Sequence, residues 1–145
     1  MIDPEQLIAR LLLAPSLMVA VAILVKGYSQ PGDGFAAGTV AALGLLVQYV
    51  TFGLERAERH LSVQTLTRTA MGGSLLCFVV AFLPVTWGDA VLTHTPGAGD
   101  DAITFGIAEF GTVLAFDLGV ALLVVGAITG ILLIIGSAAD TERDA

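Results

Sequence analysis

Long apolar stretches alternate with short polar connections along this chain, and the apolar stretches carry almost no charge. A helix rises 1.5 Å per residue, so crossing a hydrocarbon core of about 30 Å takes roughly 20 residues. Four stretches approach or reach that length: Leu7–Lys26, Gly34–Leu54, Thr69–Gly88 and Thr112–Ser137. Charges mark their edges. Arg10 lies near the start of the first, Asp33 and Glu55 bracket the second, and Arg68 and Asp89 bracket the third. Asp117 falls in the first turns of the fourth. No period-2 alternation of the kind a barrel strand shows is present. The pattern predicts an all-α integral membrane fold of four transmembrane helices joined by short loops, one domain over residues 1–145.

The connections differ. The first, Gly27–Gly34, is short and rich in Gly and Pro. The second, Glu55–Thr67, carries Arg56, Arg59 and His60, and has room for one or two helical turns at the interface. The third, Asp89–Gly111, is the longest; it holds Asp89, Asp100, Asp101 and Glu109 and no Lys or Arg.

Composition agrees with this class. Of 145 residues, 56% are hydrophobic and 13% charged, against roughly 25% charged in a soluble domain. The acidic opening Met1-Ile2-Asp3-Pro4-Glu5 lacks the positive charge of a signal peptide, so the first apolar run is expected to stay as a helix. The formal charge is −7, and without basic patches it points to no nucleic-acid partner. Cys77 is the single cysteine and has no internal partner for a disulfide.

Basic residues set orientation. With four spans, both termini and the second connection share one side, which holds Arg10, Arg56, Arg59, Arg68 and Arg143; the other side holds only Lys26. Both termini are therefore expected in the cytoplasm and the acidic third connection outside.

Few residues stand out chemically. Gly34–Gly38 and Gly126–Gly130 both have GxxxG spacing, which lets helix backbones approach closely in lipid. Chance is the competing account, because the chain has 17 glycines. Whether such faces pack inside the chain or against other subunits is open from sequence. In Pro31-Gly32-Asp33-Gly34-Phe35, Gly after Pro suits a type II turn, and Asp33 is placed as a candidate N-cap of the second helix. The glycines also admit another chain, so Gly32, Gly34, Phe35, Gly38, Gly126 and Gly130 are the subunit-packing candidates.

Asp117 and Glu109 are the ion-path candidates. A carboxylate within hydrocarbon is costly and must face protein, water or a partner. The alternative is that the last helix starts near Asp117, whose carboxylate then caps it at the headgroups, and that Glu109 is a solvated loop residue. His94 stands alone in its loop, and no metal-ligand spacing joins it to Cys77 or His60. The sequence contains no nucleophile triad, Walker loop, dinucleotide fingerprint or zinc motif; no cofactor, metal or independent enzyme activity is expected.

Two separated motifs carry a resemblance. Lys26-Gly27-Tyr28-Ser29-Gln30-Pro31-Gly32-Asp33-Gly34-Phe35, followed by a small-residue helix ending Leu46-Val47-Gln48-Tyr49-Val50-Thr51-Phe52-Gly53, and the later Leu114-Ala115-Phe116-Asp117-Leu118-Gly119-Val120 resemble the B subunit of Mrp-type (Mnh) multisubunit sodium/proton antiporters. That family shows a Gly-His-x-x-Pro-Gly-Gly-Gly-Phe loop and a Phe-Asp-(Ile/Leu/Val)-Gly-Val segment. Tyr28 replaces the motif His and Asp33 its middle Gly, so no imidazole is available at that loop. The resemblance implies a seven-subunit complex in the bacterial inner membrane, with the A, C, D, E, F and G subunits and the lipid bilayer as partners. The complex exchanges sodium for protons, and the small B subunit is an obligatory partner. A homologous subunit of a respiratory membrane hydrogenase and a stand-alone homo-oligomeric channel are the alternatives.

Overall fold

The computed structural model describes residues 4–26, 32–53, 62–94, 103–105 and 108–143, with side chains described outside 103–110 and 140–143. Tyr28 and Pro31, the charged group Arg56, Arg59 and His60, and the pair Asp100 and Asp101 lie outside the described residues. Four helices are long and apolar enough to cross a membrane. They are α1 (Pro4–Lys26), α2 (Asp33–Phe52), α3 (Val63–Phe82) and α4 (Thr112–Arg143).

Each boundary has a local cause. The α2 helix starts after Gly32, whose φ of 110° and ψ of −1° are those of the glycine position in a type II turn, open to a residue without Cβ. Gly32, and not Asp33, is the N-cap; no side-chain cap bond forms there, and Asp33 is the first helical residue. The α3 helix begins at Val63, ahead of Thr69, because the Ser62 hydroxyl accepts the Thr65 backbone N–H at 3.3 Å. Arg68 therefore lies within the helix, on an exposed face.

Regular α3 geometry ends at Phe82 and tightens into a 3-10 turn, Leu83–Trp87. Pro84 supplies no N–H for an α-helical bond there. The chain then folds back: the Leu92 N–H donates to Ala81 O at 3.0 Å.

The third connection contains a short antiparallel hairpin, β1 (Ile103–Phe105) and β2 (Ala108–Phe110), with Thr104 opposite Glu109. Glu109 is thus on a strand and not on the helix that carries Asp117. It shares no helical face with it.

The helices pack in the order α1, α2, α4, α3. The α4 helix is central: one side meets α2 and the other meets α3. Its 32 residues run well past a core of about 30 Å at 1.5 Å each. Where α2, α3 and α4 converge, Tyr49, Leu66 and Leu133 form a small core, flanked by Leu45, Leu46 and Val63. The α1 helix attaches to α2 alone on any scale. Gln48 of α2 donates to the Ala9 carbonyl, and Gly44 lies against Ser16. At the same end as Ala9, the Arg10 guanidinium sits 5.3 Å from the centre of the Phe52 ring, a cation–π distance.

Candidate functional site

The two motifs, distant in sequence, meet in the structure. The α4 helix starts at Thr112, so Asp117 lies more than one turn inside it and cannot cap it. Asp117 is only 5% exposed. It faces the start of α2, where a Cβ on Gly34 would collide with the Asp117 backbone. The Gly34 backbone N–H hydrogen-bonds the Asp117 carboxylate. This is a cap supplied from another helix: α2 has no side-chain cap of its own, and a carboxylate at a helix N-terminus is favoured by the exposed N–H groups and the helix dipole.

That contact does not satisfy the whole group. Asp117 Oδ2 is buried with no hydrogen-bond partner among the described residues. Among the described residues, Asp33 and His94 are the charged or titratable groups close enough to act on it electrostatically, and Cys77 of α3 is close as well. Among the described residues no three His, Cys, Asp or Glu side chains converge to hold a metal ion. The polar groups here are strung along the helix end, not gathered round one point.

The rest of the late motif fixes α4 against α3. A Cβ on Gly119 would lie 2.7 Å from Cys77 Sγ and 2.9 Å from Gly73 O. The Cys77 thiol donates to Phe116 O at 3.6 Å. Phe116-Asp117-Leu118-Gly119 therefore serves two neighbours: Asp117 turns to α2, Gly119 turns to α3, and Leu118 between them is exposed.

The glycine candidates separate. Gly34 and Gly38 pack on α4, the latter against Ala121 and Val124, and Gly126 packs on α3 against Leu66 and Ala70. These close approaches lie within the chain, where a side chain at Gly34, Gly38 or Gly126 would strike backbone or Cβ atoms. A Cβ on Gly130 would lie 3.7 Å from Leu66 Cβ, an ordinary contact. Among the described residues, a Cβ on Gly32 would meet nothing within 4 Å, and Phe35 is 59% exposed.

Sequence reasoning missed two residues. His94 is not isolated: its Nδ1 lies 3.3 Å from Thr112 Oγ1 at the head of α4. Only the fold-back after the 3-10 turn brings it there, and no spacing rule reports such a return. Thr129, fully buried in α4 with no hydrogen-bond partner for its hydroxyl among the described residues, was hidden in an apolar run. Glu109 sits in β2, and its side chain is outside the described residues.

Comparison with known proteins gives one family. A family model described as a domain related to the MnhB subunit of Na+/H+ antiporter matches residues 5–130. The B subunit of the Na(+)/H(+) antiporter of Bacillus subtilis is 30% identical over 120 residues, covering 83% of this chain and 82% of that one. Its counterpart of the same name in Alkalihalophilus pseudofirmus is 30% identical over 119 residues, covering 82% and 81%. The probable A/B subunit of a K(+)/H(+) antiporter of Rhizobium meliloti is 32% identical over 119 residues, 80% of this chain but 11% of that much longer one. With four apolar helices and a match over most of its length, this chain belongs to the family of domains related to the MnhB subunit of Na+/H+ antiporters.

Proposed function

We propose that this chain is the B-type small subunit of a multisubunit monovalent cation/proton antiporter in a bacterial cell membrane. The observation that carries the reading is the family match over residues 5–130. The two motifs behind it also join in one contact, Gly34 on Asp117. The chain acts with the A, C, D, E, F and G subunits of such a complex, and both its termini face the cytoplasm. Sodium is the first choice of cation. A relative named for potassium keeps potassium in the same test.

Its main work in this reading is structural, with Gly32 and Phe35 at the α2 head presented to a neighbouring subunit. Asp117 adds a contribution to the ion path. A buried carboxylate oxygen without a partner needs a proton, a cation, a water or a group from a neighbour, because leaving it bare is costly in a dry setting. Glu109 enters through its place in the hairpin between His94 and Asp117 in the chain.

The test is cation-driven proton movement in everted membrane vesicles. Removing this chain should abolish it, and restoring the chain should return it. Asp117→Asn should leave the complex assembled and lower exchange by at least about tenfold, the effect expected when a group that carries protons is lost. Wild-type exchange by vesicles lacking the chain would refute its place in the complex; wild-type exchange by Asp117→Asn would refute the ion-path part alone.

A further inference from the structure

Arg68 borders the uncharged run of α3 in sequence, yet the packing of the helices places it far from a membrane edge. A Cβ on Gly126 of α4 would lie 2.5 Å from Leu66 O and 2.6 Å from Ala70 N, so Gly126 stands beside the α3 turn centred on Arg68. The charge-free part of α4 runs from Leu118 to Ala139, and its middle falls at Ile128–Thr129. Gly126 is about 4 Å from that middle at 1.5 Å per residue. The α2 helix agrees. Gly38 packs against Ala121 and Val124, so one turn further on Ala42 is level with Gly126 and Arg68. The uncharged stretch Gly34–Leu54 has Gly44 at its centre, about 3 Å from Ala42 along the axis. Half of a hydrocarbon core is about 15 Å. An extended arginine side chain covers about half of that, so Arg68 does not reach the headgroups by snorkelling.

Leu66 and Ala70 face α4, and Arg68 between them is on the opposite, exposed side of α3. The threonines beside it satisfy themselves: Thr67 and Thr69 donate to the Val63 and Thr65 carbonyls at 2.9 and 3.0 Å. No carboxylate of the described helices shares its depth. Asp117 is about 13.5 Å from Gly126 along α4, and Asp33 adjoins Gly34 at the level of Asp117. Glu5, Asp140 and Glu142 lie beyond the ends of their uncharged runs. A charge inside a membrane faces protein or water and is paired. Arg68 faces outward, so its pairing group belongs to something outside this chain. The same face admits close approach: a Cβ on Gly72, one turn further on, would meet nothing within 4 Å among the described residues. Met71 and Leu75 near it are 68% and 64% exposed. A small residue among large apolar ones lets a second helix come close in lipid.

We propose that this face of α3 docks a transmembrane helix of a neighbouring subunit, and that an Asp or Glu of that helix pairs with Arg68 near the middle of the bilayer. The proposal rests on the reading of the chain as one subunit of a complex. A planar guanidinium bonds a carboxylate through two parallel N–H groups, so the pair sets the depth and rotation of the docked helix as well as holding it. It also takes Arg68 out of the charges that set orientation, which leaves Arg10, Arg56, Arg59 and Arg143 against Lys26.

The experiment extracts the tagged full chain from its native membrane in gentle detergent and measures each subunit that accompanies it. Arg68→Leu leaves the neighbour's carboxylate buried and unpaired. It should lower the co-extracted subunits at least about tenfold, since breaking a buried pair on one side is strongly destabilising. The chain itself should stay at its wild-type level in the membrane, because Leu suits an exposed membrane face. Arg68→Lys keeps the charge and should keep the neighbours. Subunits retained in full by Arg68→Leu overturn the pairing, because lipid then covers the face. Equal loss from both variants also overturns it, because shape and not charge is then what the neighbour needs. A second measurement leaves Arg68 in place: a photo-reactive amino acid replaces Leu75 and is activated in the intact complex. It should form an adduct with a transmembrane segment of a co-extracted subunit that contains Asp or Glu, and adducts with lipid alone overturn the docking face. If Arg68→Leu lowers the amount of the chain itself, the adduct decides. A wild-type chain that comes out alone removes the complex reading, and the proposal with it. A complete wild-type complex beside an equally complete Arg68→Leu complex removes the proposal only.

Discussion

At the Gly34–Asp117 contact, a side chain and a missing side chain depend on each other. Gly34 allows the α4 backbone to approach the head of α2, and the approach brings the Asp117 carboxylate to the Gly34 N–H. Gly34→Ala places a methyl group where the Asp117 backbone lies. It should cost about 1–3 kcal/mol, as overpacking usually does, and lower the melting temperature of the purified complex. Gly130→Ala is the control: its new Cβ would meet Leu66 at 3.7 Å, an ordinary contact, so the melting temperature should hold or rise. Equal losses in both variants would contradict this account of close approach. The sequence marked Gly34 and Asp117 separately, from GxxxG spacing and from a lone charge in an apolar run. Their contact was not legible, because hydropathy is the same all round a membrane helix and does not report which face meets which neighbour. For the same reason Gly38 cannot report on assembly of the complex: it packs on Ala121 and Val124 within the chain, and a larger residue there disturbs the monomer first.

The four helices themselves were legible from the length of the apolar runs, and their ends were less so. Arg68 reads as the edge of a span, yet α3 continues beyond it to the Ser62 cap. A capping serine followed by Gln64 and Thr65 lacks the apolar run that draws attention to a membrane helix. Ser62→Ala should cost about 1 kcal/mol through loss of the cap, read as faster amide exchange in the first turn of α3 with the rest of the helix unchanged. Protection equal to wild type would remove the cap from the account. The α1 helix depends on fewer contacts, chiefly Gln48 on the Ala9 carbonyl and Gly44 on Ser16. Gln48→Leu should weaken its attachment by about 0.6–2 kcal/mol, the usual value of an interhelical bond in lipid, seen as easier proteolytic release of the N-terminal helix from detergent-solubilised protein. Unaltered release would show that packing alone holds α1.

On the scale of the whole molecule, one central helix holds two neighbours on opposite sides, and a fourth helix hangs on the edge. Large apolar side chains remain uncovered on every helix, among them Met18 at 73%, Val50 at 85% and Met71 at 68% exposure. Lipid or other subunits must cover them, because water would not tolerate so much apolar surface. Small-residue packing holds the four helices together, while the chain alone offers no closed polar route across them among the described residues. That division suits a chain that completes its function beside others, and it makes association with those others the central claim. The decisive measurement is gentle detergent extraction of a tagged chain from its native membrane, followed by mass spectrometry of what accompanies it. The account predicts the remaining antiporter subunits in a fixed ratio. A chain that emerges alone, or only with copies of itself, would contradict it and favour an independent small channel.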